Sequence, residues 1–117
     1  MHISLTYNSY SMKRHKLDTF TRGWVIGDFE PSIIRTKDFE VMVRYYKAGD
    51  KEAKHVHKIA HEITIIVSGA YRMNGELLGP GDIVHLSPGE ATDFECLEDG
   101  ANTVIKTPSV MGDKYVL

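Results

Sequence analysis

The sequence predicts an all-β fold, a single jelly-roll barrel with a short N-terminal extension, and three observations carry that reading. Asp38 to Lys47 alternates strictly, with Phe39, Val41, Val43 and Tyr45 on one face and Glu40, Met42, Arg44 and Tyr46 on the other. Turn signals recur at intervals of roughly 5 to 11 residues, at Ser68-Gly69, Asn74-Gly75, Gly79-Pro80-Gly81, Pro88-Gly89 and Asp99-Gly100. A chain of 117 residues has room for one domain around one core.

The elements follow in order. Ile3 to Tyr7 alternates weakly and reads as an N-terminal edge strand, and Ser11 to Thr19 is polar, at most a helical turn. Gly23 to Phe29 and Ile33 to Thr36 are brief extended pieces on either side of Glu30-Pro31, where proline removes a donor and restricts its predecessor. Asp38 to Lys47 is the longest expected strand, and Glu62 to Val67 is a second β-patterned run. The boundary falls at residue 22, dividing an extension, 1–22, from a barrel, 23–117. No repeat, linker or low-complexity segment interrupts either part.

Composition is that of an ordinary globular chain, with 42% apolar and 26% charged residues. The formal net charge of −2, with Lys and Arg spread along the chain, argues against nucleic acid or an acidic membrane as partner. A lone cysteine, Cys96, excludes an intramolecular disulfide framework and is most simply a small buried apolar residue. No apolar run approaches 18 residues, and Asn8, Ser9, Lys13 and Arg14 interrupt any signal-type N-terminus, so the expected location is cytoplasmic.

The chemistry concentrates between Gly49 and Gly69. On an extended strand His55 and His57 point the same way, with Cβ atoms ~7 Å apart, a span that two imidazoles can close around one metal ion. Glu62 follows after a short break, Lys58 to His61, and a turn there returns its carboxylate to the same face. An inward carboxylate without a cation or donors costs several kcal/mol of desolvation. Two imidazoles and one carboxylate with open positions is the donor set of non-haem Fe(II) sites, and it also accepts Zn, Mn or Ni.

The spacing Gly49-x5-His55-x-His57-x4-Glu62-x6-Gly69 resembles the first cupin motif at every fixed position. Gly81 to Gly89 resembles the start of the second, with Ser87 where the motif has proline, Thr92 where it has a fourth ligand histidine and Cys96 where it has asparagine. The resemblance implies a cupin jelly-roll barrel, a divalent metal (Fe, Mn, Zn or Ni) held by His55, His57 and Glu62, and a small-molecule ligand. Thr92 stands as a possible fourth ligand or neighbour of the metal, and His85 is the candidate to replace the missing histidine. Dimers are frequent among cupins, and Tyr7, Tyr10, Phe20 and Trp24 supply apolar material for a homodimer contact.

Alternation then places Thr64 and Ile66 inward with Glu62, and Phe94 and Cys96 inward with Thr92. Arg44 and Tyr46 share a strand face, and Arg44, Arg72 and Lys106 are candidate grips for a substrate carboxylate or phosphate. Thr64, Tyr46, Phe94, Arg44 and Arg72 are therefore the expected substrate contacts. His61 neighbours Glu62 in sequence and is expected on the opposite, outer face; His2 and His15 are expected at the surface.

Two functions from different classes fit these residues. One is a metal-dependent enzyme, of dioxygenase or isomerase/epimerase type, acting on a small organic acid or sugar-type substrate. The other is a non-catalytic module binding a sugar or organic acid, which the threonine at position 92 favours; a vestigial site on a structural domain is a weaker third. Fold alone does not choose among them.

Overall fold

The computed structural model describes residues 12–117. The expected strand Ile3 to Tyr7 and the contacts of Tyr7 and Tyr10 lie outside the described residues. Two single 3₁₀ turns, Leu17–Thr19 and Thr21–Gly23, lead into eight strands: β1 Trp24–Ile26, β2 Glu40–Tyr46, β3 Lys51–Val56, β4 His61–Met73, β5 Glu76–Leu78, β6 Ile83–Leu86, β7 Ala91–Thr107 and β8 Tyr115–Val116. Every ladder between named strands is antiparallel.

The architecture hangs on β7. Its second half pairs with β2, its first half with β3, and β4 runs along both halves, carrying β6 at one end and β5 at the other. The order β1-β2-β7-β3-β8, with β4 bridging, wraps the sheet around an interior. The longest strand is thus β7, at 17 residues, not the segment 38–47, of which only the seven residues of β2 are strand.

That difference has a local cause. Ser68-Gly69 and Asp99-Gly100 carry turn-type residues, yet they face one another as bulges inside two continuous strands, where the β4–β7 register shifts. Gly69 takes φ 87°, and a Cβ there would stand 2.6 Å from the Glu98 carbonyl oxygen. Only glycine allows that approach, and the bend it permits curls both strands around the barrel. Asn74-Gly75, in contrast, is a true hairpin turn between β4 and β5, with φ 49° and 80°.

Inside, β2 alternates, and the face turned inward is that of Glu40, Met42 and Tyr46, all buried, whereas Phe39 and Tyr45 on the other face are exposed. Thr64 and Ile66 of β4 and Thr92, Phe94 and Cys96 of β7 are buried too, the facing that alternation predicts. Met42, Tyr46, Ile66, Tyr71, Met73, Phe94, Cys96 and Val104 form one core. Tyr46 meets Tyr71 edge-on at 6.0 Å and Phe94 at 4.9 Å, so aromatic rings fill this end of the barrel. Each such side chain contributes roughly 1.5–3 kcal/mol by leaving water. The core therefore holds a rigid wall, and the polar inward residues gather at the other end of β4 and β7.

Candidate metal centre

His55 is the penultimate residue of β3, His57 directly follows the strand, and Glu62 is the second residue of β4. One donor atom from each comes within 4.8 Å of the others. The intervening turn is held by Asp113, just before β8. Its carboxylate accepts N–H bonds from Lys58 (3.0 Å), Ile59 (3.1 and 3.2 Å) and Ala60 (2.9 Å). Burial pushes the Asp113 carboxyl up, but the bonds from Ala60, Ile59 and Lys58 outweigh it and hold the group below its ordinary value.

Asp113 also sets the imidazole. Its backbone carbonyl, which can only accept, lies 2.6 Å from His57 Nδ1, so Nδ1 carries the proton. His55 Nδ1 is held in the same way by the Ala53 carbonyl at 2.9 Å. Both rings therefore turn Nε2 lone pairs to the interior, the tautomer that binds metal.

His57 Nε2 meets Glu62 Oε2 at 2.9 Å, and Oε2 is buried with no hydrogen-bond donor other than a protonated His57. A neutral imidazole lone pair and a carboxylate oxygen repel at that distance, so the pair requires a proton or a metal cation beside it. The bond to Glu62 raises the His57 pKa, against the opposing effect of burial. Burial pushes Glu62 up, yet His57 and Lys106 together bring it below its usual value. Three acceptor atoms converging on one point, with the outer nitrogens already bonded, fit a divalent cation.

The cluster opens on a cavity of about 370 Å³. Arg44, Tyr46, Thr64, Thr92, Phe94 and Lys106 all line it. Arg44 directs Nε and Nη2 to the Arg22 carbonyl, so much of its fork is committed to the chain itself. Burial raises the Tyr46 pKa to about 12, which keeps its hydroxyl protonated. Thr92 is paired with His55 across the β3–β7 ladder and is buried, but its hydroxyl donates to the Asp93 carbonyl at 2.7 Å rather than standing free.

Two expected site residues lie elsewhere. His85 is exposed on the outer face, paired with Ile63, with Nε2 3.0 Å from His61 Nδ1. It does not replace the missing fourth imidazole, because the pleat that turns Glu62 inward turns Ile63 and its partner outward. Arg72 is exposed and bonds Glu95 at 3.1 Å, since Tyr71 and Met73 take the inward positions around it. Sequence reading missed Asp113, Glu40 and Ser109. Gly112-Asp113 carries a turn signal, but its contact with residues 58–60 is set by tertiary folding.

Comparison with solved structures decides the fold. An RmlC-like cupin from Shewanella frigidimarina superposes with TM-score 0.60 at 18% identity, covering 67% of this chain and 72% of that one. The chain has a cupin fold. A Klebsiella pneumoniae protein with a double-stranded β-helix domain matches at 22% identity and TM-score 0.64, covering 90% and 96% of the two chains. The DMSP lyase DddQ from Ruegeria pomeroyi matches at 24% identity and TM-score 0.67, covering 96% of this chain and 58% of its own. No family model and no curated protein matches the sequence.

Proposed function

We propose that this cupin is a metal-dependent protein acting on a small organic acid or sugar-type substrate inside its barrel, by dioxygenase or isomerase/epimerase chemistry. One observation carries the reading: the His55, His57 and Glu62 donor atoms lie within 4.8 Å of one another, with Glu62 Oε2 buried against a lone pair. Those residues would hold the ion, Fe, Mn, Zn or Ni. When bound it would supply Lewis acidity or oxygen activation at open positions. The chain itself would do the rest. Asp113 and Ala53 fix the imidazole tautomers, Tyr46 offers a protonated hydroxyl, and Met42, Phe94 and Val104 keep the cavity wall dry.

Metal analysis of untagged protein, followed by titration with each of the four ions, tests the reading. Protein that carries no metal and takes none up would end it. A non-catalytic binding module is the second reading, favoured by Thr92, where a threonine bonded to Asp93 stands in the place of a fourth imidazole. Turnover by the loaded protein separates the two. Around this site we place residues 1–22 as an extension to the barrel of residues 23–117 and the assembly as a homodimer. A cytoplasmic location accords with the buried free thiol of Cys96.

A further inference from the structure

Beside the metal cluster runs a second polar group that the metal does not use. Glu40 of β2, Lys106 of β7 and Glu62 of β4 occupy one cross-strand row, and all three line the cavity. Lys106 Nζ lies 2.8 Å from Glu40 Oε1, and Ser109 Oγ donates to Glu40 Oε2 at 2.7 Å. Ser109 Oγ in turn accepts the Asp28 N–H at 3.0 Å. The Trp24 ring roofs the ammonium, 4.8 Å away. Glu40 is thus bonded through both oxygens, whereas Lys106, which can donate three N–H bonds, has one carboxylate partner among the described residues and lines the cavity. An ammonium largely withdrawn from water, its side chain 16% exposed, is a strong point of attachment for an anion.

Asn102 supplies the second observation. It lies two inward positions further along β7, is fully buried, lines the same cavity and leaves both amide atoms without a partner among the described residues. A buried amide with neither atom bonded leaves its desolvation uncompensated, a cost that a polar ligand removes. Between the two poles the wall is apolar, with Val104 on β7 and its partner Met42 on β2.

We propose that Lys106 and Asn102 are the two poles of a ligand subsite for a hydroxy-carboxylic acid, the carboxylate on the ammonium and a hydroxyl on the amide. The subsite deepens the reading of the cavity as a substrate site and rests on it. Glu40 and Ser109 are positioning residues, since they hold Lys106 and leave the ligand to it.

Gluconate, gluconamide and hexanoate are the probes, measured by titration calorimetry with Mn(II) and again with metal-free protein. Gluconate presents hydroxyls along its whole chain, gluconamide lacks the charge and hexanoate lacks the hydroxyls. Gluconate binds at least tenfold tighter than either, as a charge-assisted bond and a buried hydrogen bond require. Lys106→Met erases the advantage over gluconamide, and Asn102→Ala erases the advantage over hexanoate. Because Lys106→Met strands Glu40, the double variant Lys106→Met, Glu40→Gln removes both charges, and it loses gluconate selectivity in the same way. Gluconamide binding as tightly as gluconate, no gluconate binding at millimolar concentration, or full selectivity in the folded double variant overturns the proposal. Failure to take up Mn(II) would count against the metal reading alone, since the metal-free titrations still test Lys106 and Asn102.

Discussion

Asp113→Asn tests the link between the C-terminal segment and the metal cluster. The carboxylate accepts from three consecutive backbone N–H groups with two oxygens. Asparagine offers one oxygen, and its amide group points donors at donors, so either the buried Ala60 N–H or the more exposed Lys58 N–H loses its partner, depending on which way the side chain turns. Ala60 is buried, and an orphaned N–H there costs ~1–3 kcal/mol. With the weaker neutral bonds that remain, the loss is ~2–3 kcal/mol, a fall in Tm of ~8–12 °C for a chain this size. The same turn carries Glu62 back to the histidines, so metal affinity falls ~10–100-fold although no ligand is altered. The carboxyl is held below its ordinary value, so its contribution to stability is present above pH ~4 and is lost as pH falls through the lowered folded value. Thermal melts from pH 3 to 7 and Mn(II) titration read both effects. A variant with unchanged Tm and unchanged metal affinity refutes the role given to Asp113.

Alanine at His55, His57 or Glu62 abolishes uptake of divalent metal, whereas alanine at His61 or His85 leaves it intact; elemental analysis of the five variants decides. Metal affinity falls as pH drops through the raised His57 value, beginning above pH 6.5, because metal and proton compete for Nε2; titrations between pH 5 and 9 check the direction. Thr92→His tightens metal retention at least tenfold by offering a fourth nitrogen, and a chelator-release rate measures it. For the proposed dimer, light scattering gives twice the 13.2 kDa chain, whereas a mass near 13.2 kDa removes it.

How much of this was legible in the sequence depended on the range of the interaction. The facing of Thr64 and Ile66 beside Glu62, and of Phe94 and Cys96 beside Thr92, follows from the two-residue period of a strand, a local rule, and all four are buried. In β2 the same rule groups Glu40, Met42 and Tyr46 but does not say that their face, rather than that of Phe39 and Tyr45, turns inward. The i, i+2 spacing of the histidines is likewise local, although His57 lies just past the end of β3 and its ring is set by the distant Asp113 carbonyl. Strand length was misread, because a glycine allowing a bulge and a glycine allowing a turn look alike in sequence; Gly69 and Gly100 are told apart only by lying against each other. The second polar row was also hidden, since Glu40 and Lys106 are 66 residues apart and their pairing is a matter of β2–β7 register. For His85 the sequence left a ligand role and exposure both open, since its outward facing follows from its partner Ile63 rather than from its neighbours.

The charges around Glu62 set how the fold and the proposed metal site depend on protonation. Glu62 and Glu40 place two carboxylates on one buried row, and Lys106 stands between them. Lys106 is bonded to Glu40, so its charge reaches Glu62 only in part, and the remaining positive charge comes from a proton on His57. That proton stabilises the metal-free fold below the unfolded His pKa near 6.5, and the contribution is lost as pH rises through the higher folded value. A divalent ion held by His55, His57 and Glu62 would displace that proton and supply one more charge than it removed. Loading would then release a proton and leave excess positive charge beside Lys106, strengthening the hold of the cavity on an anionic ligand. Metal and organic acid should accordingly bind with positive coupling, each tightening the other by the same factor.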